Sequence, residues 1–340
     1  MQFVGLDIHK KFINGCILDS QGSVVSEQRF DTEPGELDRF LSNAKKEECK
    51  IALEACICWQ YTFDYLAEEG YDVVLADPMR VRLIAASRKK TDKHDARILA
   101  DLLRTNLLPT SYASPRDVRD QRQATRHRLS LTGLKVQVKN KVHSILLRNG
   151  IKHEFSDVFG KAGIKYLYSL DLPMCDRFEM DHYLKMIEEI NMKINETNEL
   201  VEDFTRYNPQ ARLLMSIPGI DYYGAVMITA EIGDIRRFGS REKLTSYAGL
   251  NPSVYQSGNT FRTGHISKQG NVNLRRILVQ CANVSIMRDK TLARFYHKIK
   301  KHRRKHGIAV TATARKLLGY IYVMLQHNIQ YHALQVHKVS

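Results

Sequence analysis

The chain has 340 residues, of which 43% are hydrophobic, and its 52 Lys and Arg against 37 Asp and Glu give a formal net charge of +15. This length predicts more than one domain, and the positive charge favours partners with phosphate backbones. Because the sequence shows neither an apolar run of membrane-spanning length nor a signal-peptide pattern at its start, we expect a cytoplasmic protein without a membrane partner.

The first hundred residues alternate between strand and helix patterns. Strand patterns occur at 3–8, 13–19, 23–30, 50–54 and 72–75, and helix patterns occur at 34–46, 59–69, 78–86 and 92–104. Three antiparallel-type strands followed by helix, strand, helix and strand form a mixed sheet with flanking helices. We therefore predict an α/β domain of the ribonuclease H-like kind over residues 1–112.

A strongly basic helical pattern follows at 115–149, with Asp117 and Asp120 as its only acids. Its nine basic residues are Arg116, Arg119, Arg122, Arg126, Arg128, Lys135, Lys139, Lys141 and Arg148. In a second helix, predicted at 180–207, apolar positions alternate spacings of three and four. They are Met180, Tyr183, Ile187, Ile190, Ile194, Thr197, Val201 and Phe204. This heptad seam predicts a long helical coiled-coil arm over 113–208, and both packing within the chain and self-association between chains stay open.

Residues 209–340 are predicted to form a mostly α-helical C-terminal domain. The sequence SIPGI at 216–220, followed by a helical pattern at 224–232, resembles a helix-hairpin-helix, whose backbone amides bind a phosphate. The polar, glycine-rich stretch 256–270 predicts an exposed loop. Residues 294–305 hold seven Lys or Arg and no acid, which favours a helix face that follows a phosphate backbone.

Four carboxylates lie where this fold would bring them together. Asp7 sits inside an apolar strand, where a carboxylate is costly without a partner, and Glu54 ends a second strand. Asp92 and Asp95 lie three residues apart at the start of a helix and so share one face. Four acids this close repel each other unless divalent cations offset the charge. The set therefore predicts Mg²⁺-assisted phosphoryl transfer.

Each acid also has an ordinary structural explanation. Asp92 fits the N-cap of a helix after Thr91, and an Asp at a strand end often only caps a turn. The motif Gly5-Leu6-Asp7 also opens the actin-like sugar kinase fold, but that fold needs a second phosphate loop and an adenosine site, which the sequence lacks. The six cysteines lack zinc spacing and fit buried thiols of a reducing compartment.

Two sets of motifs, in the same order along the chain, carry a family resemblance. The N-terminal set is GLDIHK at 5–10, LEA at 53–55 and KTDKHDA at 90–96. The C-terminal set is PGI at 218–220, FGSREKLTSYAGLNP at 238–252, SG at 257–258, HISKQGN at 265–271 and LRR at 274–276. Both sets resemble the DEDD insertion-sequence transposases, a family that includes Piv-type DNA invertases and bridge-RNA-guided recombinases.

The resemblance implies a metal-binding catalytic quartet of Asp7, Glu54, Asp92 and Asp95. It also implies a nucleophile in the C-terminal domain, which here is Ser257 before Gly258. Such an enzyme cuts and rejoins DNA through a phosphoserine ester, assisted by Mg²⁺ or Mn²⁺. The resemblance further implies a homo-oligomer, from dimer to tetramer, whose site joins the N-terminal domain of one subunit to the C-terminal domain of another, and a noncoding bridge RNA as guide.

Ser253 and Ser267 are rival serines in the same segment, and Ser267, in Ile266-Ser267-Lys268, fits better as a phosphate contact. The chain also offers basic residues as candidate contacts to nucleic-acid phosphates. They are Lys10, Lys93, His94, Arg262, Lys268, Arg275 and Arg276. For Trp59, the single tryptophan, we predict core packing.

Two alternative functions belong to other classes. A ribonuclease H-like junction resolvase or nuclease would use metal-activated water and need no serine. A non-catalytic nucleic-acid scaffold would use the basic helices alone, and removing Asp7 or Glu54 would leave its activity intact. A tyrosine recombinase would need an Arg-His-Arg cluster around a tyrosine, and the sequence shows none.

Overall fold

The computed structural model describes residues 1–84, 92–257 and 260–332, and within these ranges the side chains of 92–94, 254–257 and 260–263 lie outside the described structure. The described chain divides into two compact units, Met1–Ala113 and Ser114–Ser340. The helical arm segment and the C-terminal helices belong to the second unit.

The first unit is a six-stranded mixed sheet with helices on both faces. Its elements are β1 (Gln2–Ile8), β2 (Phe12–Leu18), β3 (Val24–Asp31), α1 (Pro34–Leu41), β4 (Cys49–Glu54), α2 (Trp59–Glu68), β5 (Asp72–Ala76), α3 (Pro78–Ile84), α4 (Asp92–Arg104) and β6 (Thr110–Ser111). The strand order is β3-β2-β1-β4-β5-β6, with β1, β4 and β5 parallel and the other pairings antiparallel. The sheet predicted from the sequence is confirmed, and the short strand β6 is an addition to it.

Helix α1 is shorter than the predicted helix at 34–46. It ends at Leu41 because the next side chains bond to the last carbonyls of the helix: the Ser42 hydroxyl donates to the Arg39 oxygen and the Asn43 amide donates to the Phe40 oxygen. Serine and asparagine compete with helical hydrogen bonds in this way.

The two faces of the sheet bury different kinds of side chain. One face packs large apolar residues of β1 and β4 against α1 and α2, and Trp59 packs against this core edge-on to Phe63. The other face is covered by α4 through small residues, with Ala96 and Ala100 against Cys16. The face under α4 therefore allows a helix backbone to approach the sheet closely.

Gly5 is the residue that makes this approach possible. A Cβ at Gly5 would collide with the backbone oxygen of Ala96 and would lie 2.7 Å from the backbone nitrogen of Ala100. Because both neighbours are backbone atoms of α4, the helix as a whole would have to move.

We expect Gly5→Ala to lower the free energy of unfolding by roughly 3 kcal/mol, since overpacking against backbone has no cheap relief. Urea unfolding of the purified protein measures this change. Gly35→Ala is the matched control, because a Cβ at Gly35 in α1 meets nothing within 4 Å. Equal stability of the two variants would show that the backbone of α4 does not pack directly on Gly5.

The second unit is mostly helical, as predicted. Its elements are α5 (Arg116–Arg148), α6 (Lys161–Ser169), α7 (Met174–Tyr207), α8 (Pro209–Leu214), α9 (Tyr222–Ile232), α10 (Arg241–Tyr247), β7 (Pro252–Ser257), β8 (Thr260–Ile266), α11 (Val272–Arg288), α12 (Lys290–Arg303) and α13 (His306–His327). Met180 and Ile187 of the heptad pattern in α7 share a buried cluster with Val138 and Val142 of α5. Polar pairs show that the two helices are antiparallel. Arg128 donates to Asn198 at 2.6 Å and Lys135 donates to Asn191 at 3.0 Å. The coiled-coil geometry of the arm stays a prediction.

The prediction of an exposed loop at 256–270 is wrong for 256–257 and 260–266, where β7 and β8 form an antiparallel hairpin, whereas 267–270 are exposed and outside the strands, as predicted. Its backbone pairing includes Tyr255 with Arg262 and Ser257 with Thr260, and the Ser253 hydroxyl adds a bond to the His265 oxygen at 2.9 Å. A polar strand gains its hydrogen bonds from the ladder, so it needs no apolar alternation to form.

Helix α13 corrects a second expectation. It is long and apolar enough to cross a membrane, with a mean hydropathy of 1.3, although the sequence was expected to contain no such stretch. Its apolarity has a structural origin, since residues such as Leu317, Leu318 and Ile321 are fully buried in the core of the second unit. Helix α9 lies in the same core and is buried from Tyr223 to Ile232.

Candidate active site

Asp7 and Glu54 lie at the carboxyl ends of neighbouring parallel strands. The last registered pair of β1 and β4 is Leu6 with Leu53, so the next residue on each strand is one of the two acids. Alternate residues of a strand point to the same face, which places Asp7 on the face of Gly5, under α4. Glu54 shares the face of Ala52, which packs against Leu99 of α4. Both carboxylates therefore lie on the α4 side of the sheet.

The direction of α4 brings its first turn to the same edge. Arg104, at the end of α4, lies against Gly22 in the turn between β2 and β3, since a Cβ there would be 3.3 Å from the guanidinium. That turn is at the starting end of β1, because β2 runs antiparallel to β1. The beginning of α4, with Asp92 and Asp95, therefore lies toward the end of β1 that carries Asp7.

The surroundings of Asp7 suit a bound cation. The residue is 7% exposed, and the Nε2 atom of His9 lies 3.0 Å from its Oδ2 atom. Asn14, its partner across the β1–β2 pair, is 3% exposed, and its Nδ2 atom is buried without a hydrogen-bond partner among the described residues. A buried amide donor without an acceptor costs free energy of folding, and the oxygen of a bound water or ligand would satisfy it. The Asp7 carboxylate and the Asn14 amide therefore fit a cation that is bound together with oxygen ligands.

The structure places part of the predicted quartet. Asp95 is half-buried on α4, whereas the side chains of Asp92, Lys93 and His94 lie outside the described residues. Among the side chains that are described, no three acidic, His or Cys groups stand close enough to hold a metal ion. The chain's backbone thus gathers the elements of the quartet at one edge, and Asp92 is the member whose side chain is not described.

The predicted nucleophile lies at a defined place in the chain. Ser257 is the last residue of β7, next to the hairpin turn, while its side chain, Gly258 and the side chain of Arg262 lie outside the described residues. Of the two rival serines, Ser253 uses its hydroxyl to bond the His265 oxygen inside the hairpin, and Ser267 is exposed. The hydroxyl of Ser253 is therefore part of the hairpin's own hydrogen bonding.

The predicted phosphate contacts divide into two groups. Lys10, Lys268 and Arg276 are exposed, as a phosphate contact requires. Arg275 is half-buried and donates a hydrogen bond to the Ala248 oxygen at 3.1 Å, so this guanidinium also holds the fold together.

The predicted helix-hairpin-helix differs from a phosphate-binding turn in one respect. Asp221 caps α9, and its carboxylate accepts a hydrogen bond from the Gly224 amide at 2.7 Å. A phosphate would need that amide and would be repelled by the carboxylate. Gly219 is packed against Ser285 of α11 instead, so this turn serves helix packing.

A buried network around Glu231 escaped the sequence analysis. Glu231 on α9 is 0% exposed, and its two oxygens accept hydrogen bonds from Nε and Nη2 of Arg126 at 2.7 and 2.8 Å. Arg122 lies 3.8 Å away, and the Asn271 amide donates to the same carboxylate at 2.7 Å. Asn271 also caps α11 and bonds the hydroxyl of Tyr247. Because Tyr247 and Asn271 flank the β7–β8 hairpin in sequence, the network fixes both ends of that hairpin.

The charges in this network set the pKa of Glu231. Burial raises the pKa of its carboxyl, but the hydrogen bonds from Arg126 and Asn271 and the arginine charges outweigh burial, so the pKa lies below its ordinary value of 4.5. The carboxylate is therefore ionised at neutral pH, and its contribution to stability is fully present above about pH 4.5 and is lost as the pH falls through the lowered folded-state pKa.

We expect Glu231→Gln to lower the free energy of unfolding at pH 7 by about 3 kcal/mol, because it leaves two arginines near a neutral group. The loss should shrink below pH 4.5, where the carboxyl takes up a proton in the unfolded chain before it does so in the folded protein. Urea unfolding between pH 3.5 and pH 7 measures both effects. The exposed Glu242→Gln on α10 should change stability by less than about 0.5 kcal/mol. A pH-independent deficit in Glu231→Gln would contradict this account.

Two family models match the chain. A model of DEDD transposases of the IS110 group matches residues 4–149, and the model described as Transposase IS116/IS110/IS902 family matches residues 211–297. The first match contains the β1, β4 and α4 elements of the carboxylate site, and the second contains Glu231, the hairpin and α11.

Full-length relatives match in the same way. The chain is 29% identical to the transposase for insertion sequence element IS1328 of Yersinia enterocolitica, over 84% of this chain and 84% of that protein. It is 24% identical to the transposase for IS1111A of Coxiella burnetii, over 97% and 91% of the two chains. A probable family 20 transposase of Pseudomonas aeruginosa is 24% identical over 96% of this chain and 98% of its own.

Proposed function

Since the chain belongs to the IS110 family of DEDD transposases, we propose that it cuts and rejoins DNA through a phosphoserine intermediate. In this proposal Asp7, Glu54, Asp92 and Asp95 hold a divalent cation, Mg²⁺ or Mn²⁺, and Ser257 is the nucleophile. The observation that carries the proposal is the convergence of β1, β4 and the first turn of α4 at one sheet edge, with buried Asp7 beside an Asn14 amide that has no partner in the described part of the chain.

The carboxylate edge would suit phosphoryl transfer with a divalent cation bound there, because β1 and β4 end in adjacent acids on the side of the sheet that α4 covers. A divalent cation bound there would lower the pKa of a coordinated hydroxyl and neutralise charge on phosphate oxygens. Asp7 and Glu54 would hold the cation in this scheme, and the Asn14 amide could donate to an oxygen of a bound phosphate. His9 lies against Asp7 Oδ2, so we expect it to set the rotamer of that carboxylate.

The proposed chemistry at Ser257 consists of one exchange of bonds at phosphorus. The Ser257 hydroxyl loses its proton and its oxygen forms a bond to the scissile phosphorus, while the bond from phosphorus to the deoxyribose oxygen breaks and that oxygen takes up a proton. In religation a deoxyribose hydroxyl of another strand attacks the phosphoserine and releases Ser257. Since each step replaces one phosphoester with another, the bond energy is kept for rejoining.

The remaining parts of the proposal concern assembly and partners. We propose a homo-oligomer, from dimer to tetramer, that acts on DNA in the cytoplasm and takes a noncoding RNA as guide between donor and target DNA. The end of α12 carries several basic residues and no acid. This supports binding of a second polyanion, in addition to the DNA that is cut.

Trapping the intermediate tests the proposed function. The protein is incubated with Mg²⁺ and DNA that carries the ends of its own mobile element and its flanking noncoding segment, then denatured and resolved by gel electrophoresis. We expect a DNA-linked protein band that needs Mg²⁺ and whose tryptic peptide carries the nucleotide on Ser257. Strand cleavage without any protein–DNA linkage would refute the phosphoserine step and point to metal-activated water.

A further inference from the structure

An open groove of about 360 Å³ lies between α5 and α11 in the second unit. Beside two leucines, its lining residues are Arg126, Ser130, Gly133, Gln137, Asn273 and Arg276. The lining thus carries two guanidinium groups, two amides and a hydroxyl, and it includes no carboxylate. Spacings of four, three and four residues place the four α5 members on one helix face. Such a lining has the donors that a phosphate group needs.

One arginine of the groove, Arg126, is held in one orientation by a buried carboxylate. Arg126 donates through Nε and Nη2 to the buried carboxylate of Glu231, so its planar guanidinium cannot rotate freely. Within the described residues its Nη1 atom has no hydrogen-bond partner, and Arg126 is half-exposed at the groove. An arginine held rigidly on one edge loses less rotamer freedom when its other edge binds an anion.

The positive charge of the arginines around Glu231 exceeds the single negative charge of its carboxylate. One carboxylate faces both Arg122 and Arg126, and Arg122 is itself tied to the Ala230 oxygen and the Ser114 hydroxyl. Arg276 adds another positive charge, and among the described residues its side chain has no ion-pair or hydrogen-bond partner. The groove therefore keeps a net positive charge. The charge of Arg126 is fixed in position by its bonds to the buried Glu231.

We propose that this groove is a phosphodiester-binding site, in which Arg126 and Arg276 clamp one backbone phosphate of a nucleic acid. Ser130, Gln137 and Asn273 would add neutral donors. Gly133, whose absent Cβ would meet nothing within 4 Å, leaves room for the sugar–phosphate chain. The site recognises backbone and not base sequence, so it would position a strand in the second unit. The choice of ligand rests on the proposed function, whereas the binding itself does not require strand cleavage.

Gly133→Leu tests the groove by filling it without changing charge. A leucine in the middle of α5 favours the helix over glycine, so the thermal midpoint should stay equal or rise. The affinity for a nucleic-acid backbone should nevertheless fall about tenfold, as expected for the loss of a charge-assisted contact. Gly133→Ala, which adds only a Cβ, is the matched control and should keep wild-type affinity.

Arg276→Gln provides the second test, with the exposed Arg288→Gln on the same helix as its control. Fluorescence anisotropy at several NaCl concentrations is measured with a labelled DNA duplex and with an RNA duplex of the same sequence. We expect Arg276→Gln to weaken binding about tenfold and to reduce the slope of log K against log salt by about 1. The control should keep wild-type affinity and slope.

The two probes identify the ligand. An effect on the DNA probe alone assigns the groove to DNA, an effect on the RNA probe alone assigns it to RNA, and effects on both assign it to either backbone. Wild-type affinity and salt slope in both Gly133→Leu and Arg276→Gln, or equal losses in Arg276→Gln and Arg288→Gln, would overturn the proposal. Because no strand is cut in this assay, its result is independent of the trapping experiment on Ser257.

Discussion

Replacing Ser257 with Ala is expected to abolish the covalent protein–DNA linkage and to lower strand exchange by roughly 10⁴-fold or more, the scale seen when an enzyme loses its nucleophile. The reason is chemical, because alanine has no oxygen with which to form the phosphoester. DNA binding should stay within about twofold, since one hydroxyl contributes little to backbone affinity. Adduct yield on a denaturing gel and anisotropy binding are measured on the same preparations.

Two serines of the same segment are the controls for this prediction. Ser267→Ala removes an exposed hydroxyl and should keep adduct formation. Ser253→Ala removes the hydrogen bond to the His265 oxygen and should cost about 1 kcal/mol of stability while the adduct still forms. If Ser257→Ala still forms the adduct and one of the controls loses it, the nucleophile has been assigned to the wrong serine.

Asp7→Asn is expected to lower strand exchange by about 10³-fold, because a metal-bound carboxylate site supplies several kcal/mol of transition-state stabilisation. The same variant should not unfold the protein. Asparagine has the shape of aspartate, so its side-chain oxygen can keep the contact with Nε2 of His9.

Metal-dependent stability separates this effect from misfolding. The wild-type thermal midpoint should rise with Mg²⁺, since a ligand bound only by the folded state stabilises it, and Asp7→Asn should lose most of that rise. Glu68→Gln, an exposed change on α2 of the same unit, should keep both the rise and the activity. An Asp7→Asn variant with full activity and a full metal-induced shift would leave Asp7 outside the catalytic site.

The sequence was sufficient to predict those strands and helices whose apolar residues recur at a regular spacing. Apolar strands and the helix at 92–104 were predicted within a few residues, because burial of one or both faces leaves a periodic trace. Asp7 stood out for the same reason, as a carboxylate in an apolar strand. The hairpin of β7 and β8 left no such trace, since its polar residues are held by backbone pairing that depends on the partner strand.

The Glu231 network shows a different limit of the sequence. Glu231 is an acid in the otherwise apolar helix YYGAVMITAEI, so the argument used for Asp7 could have singled it out. Its partner could not be predicted, because Arg126 lies 105 residues away and is one of several arginines on a basic helix. Asn14 was missed for a related reason, since its burial beside Asp7 depends on the register of β1 with β2.

The most direct test of the central claim is to locate a bound cation at the carboxylate edge. Crystals of the full chain grown with Mn²⁺ and measured for anomalous scattering would show its position. We predict a manganese peak within about 2.2 Å of carboxylate oxygens of Asp7 and Glu54, the distance expected for a hard cation with oxygen ligands. No peak at that edge, at a Mn²⁺ concentration that supports strand exchange, would contradict the account.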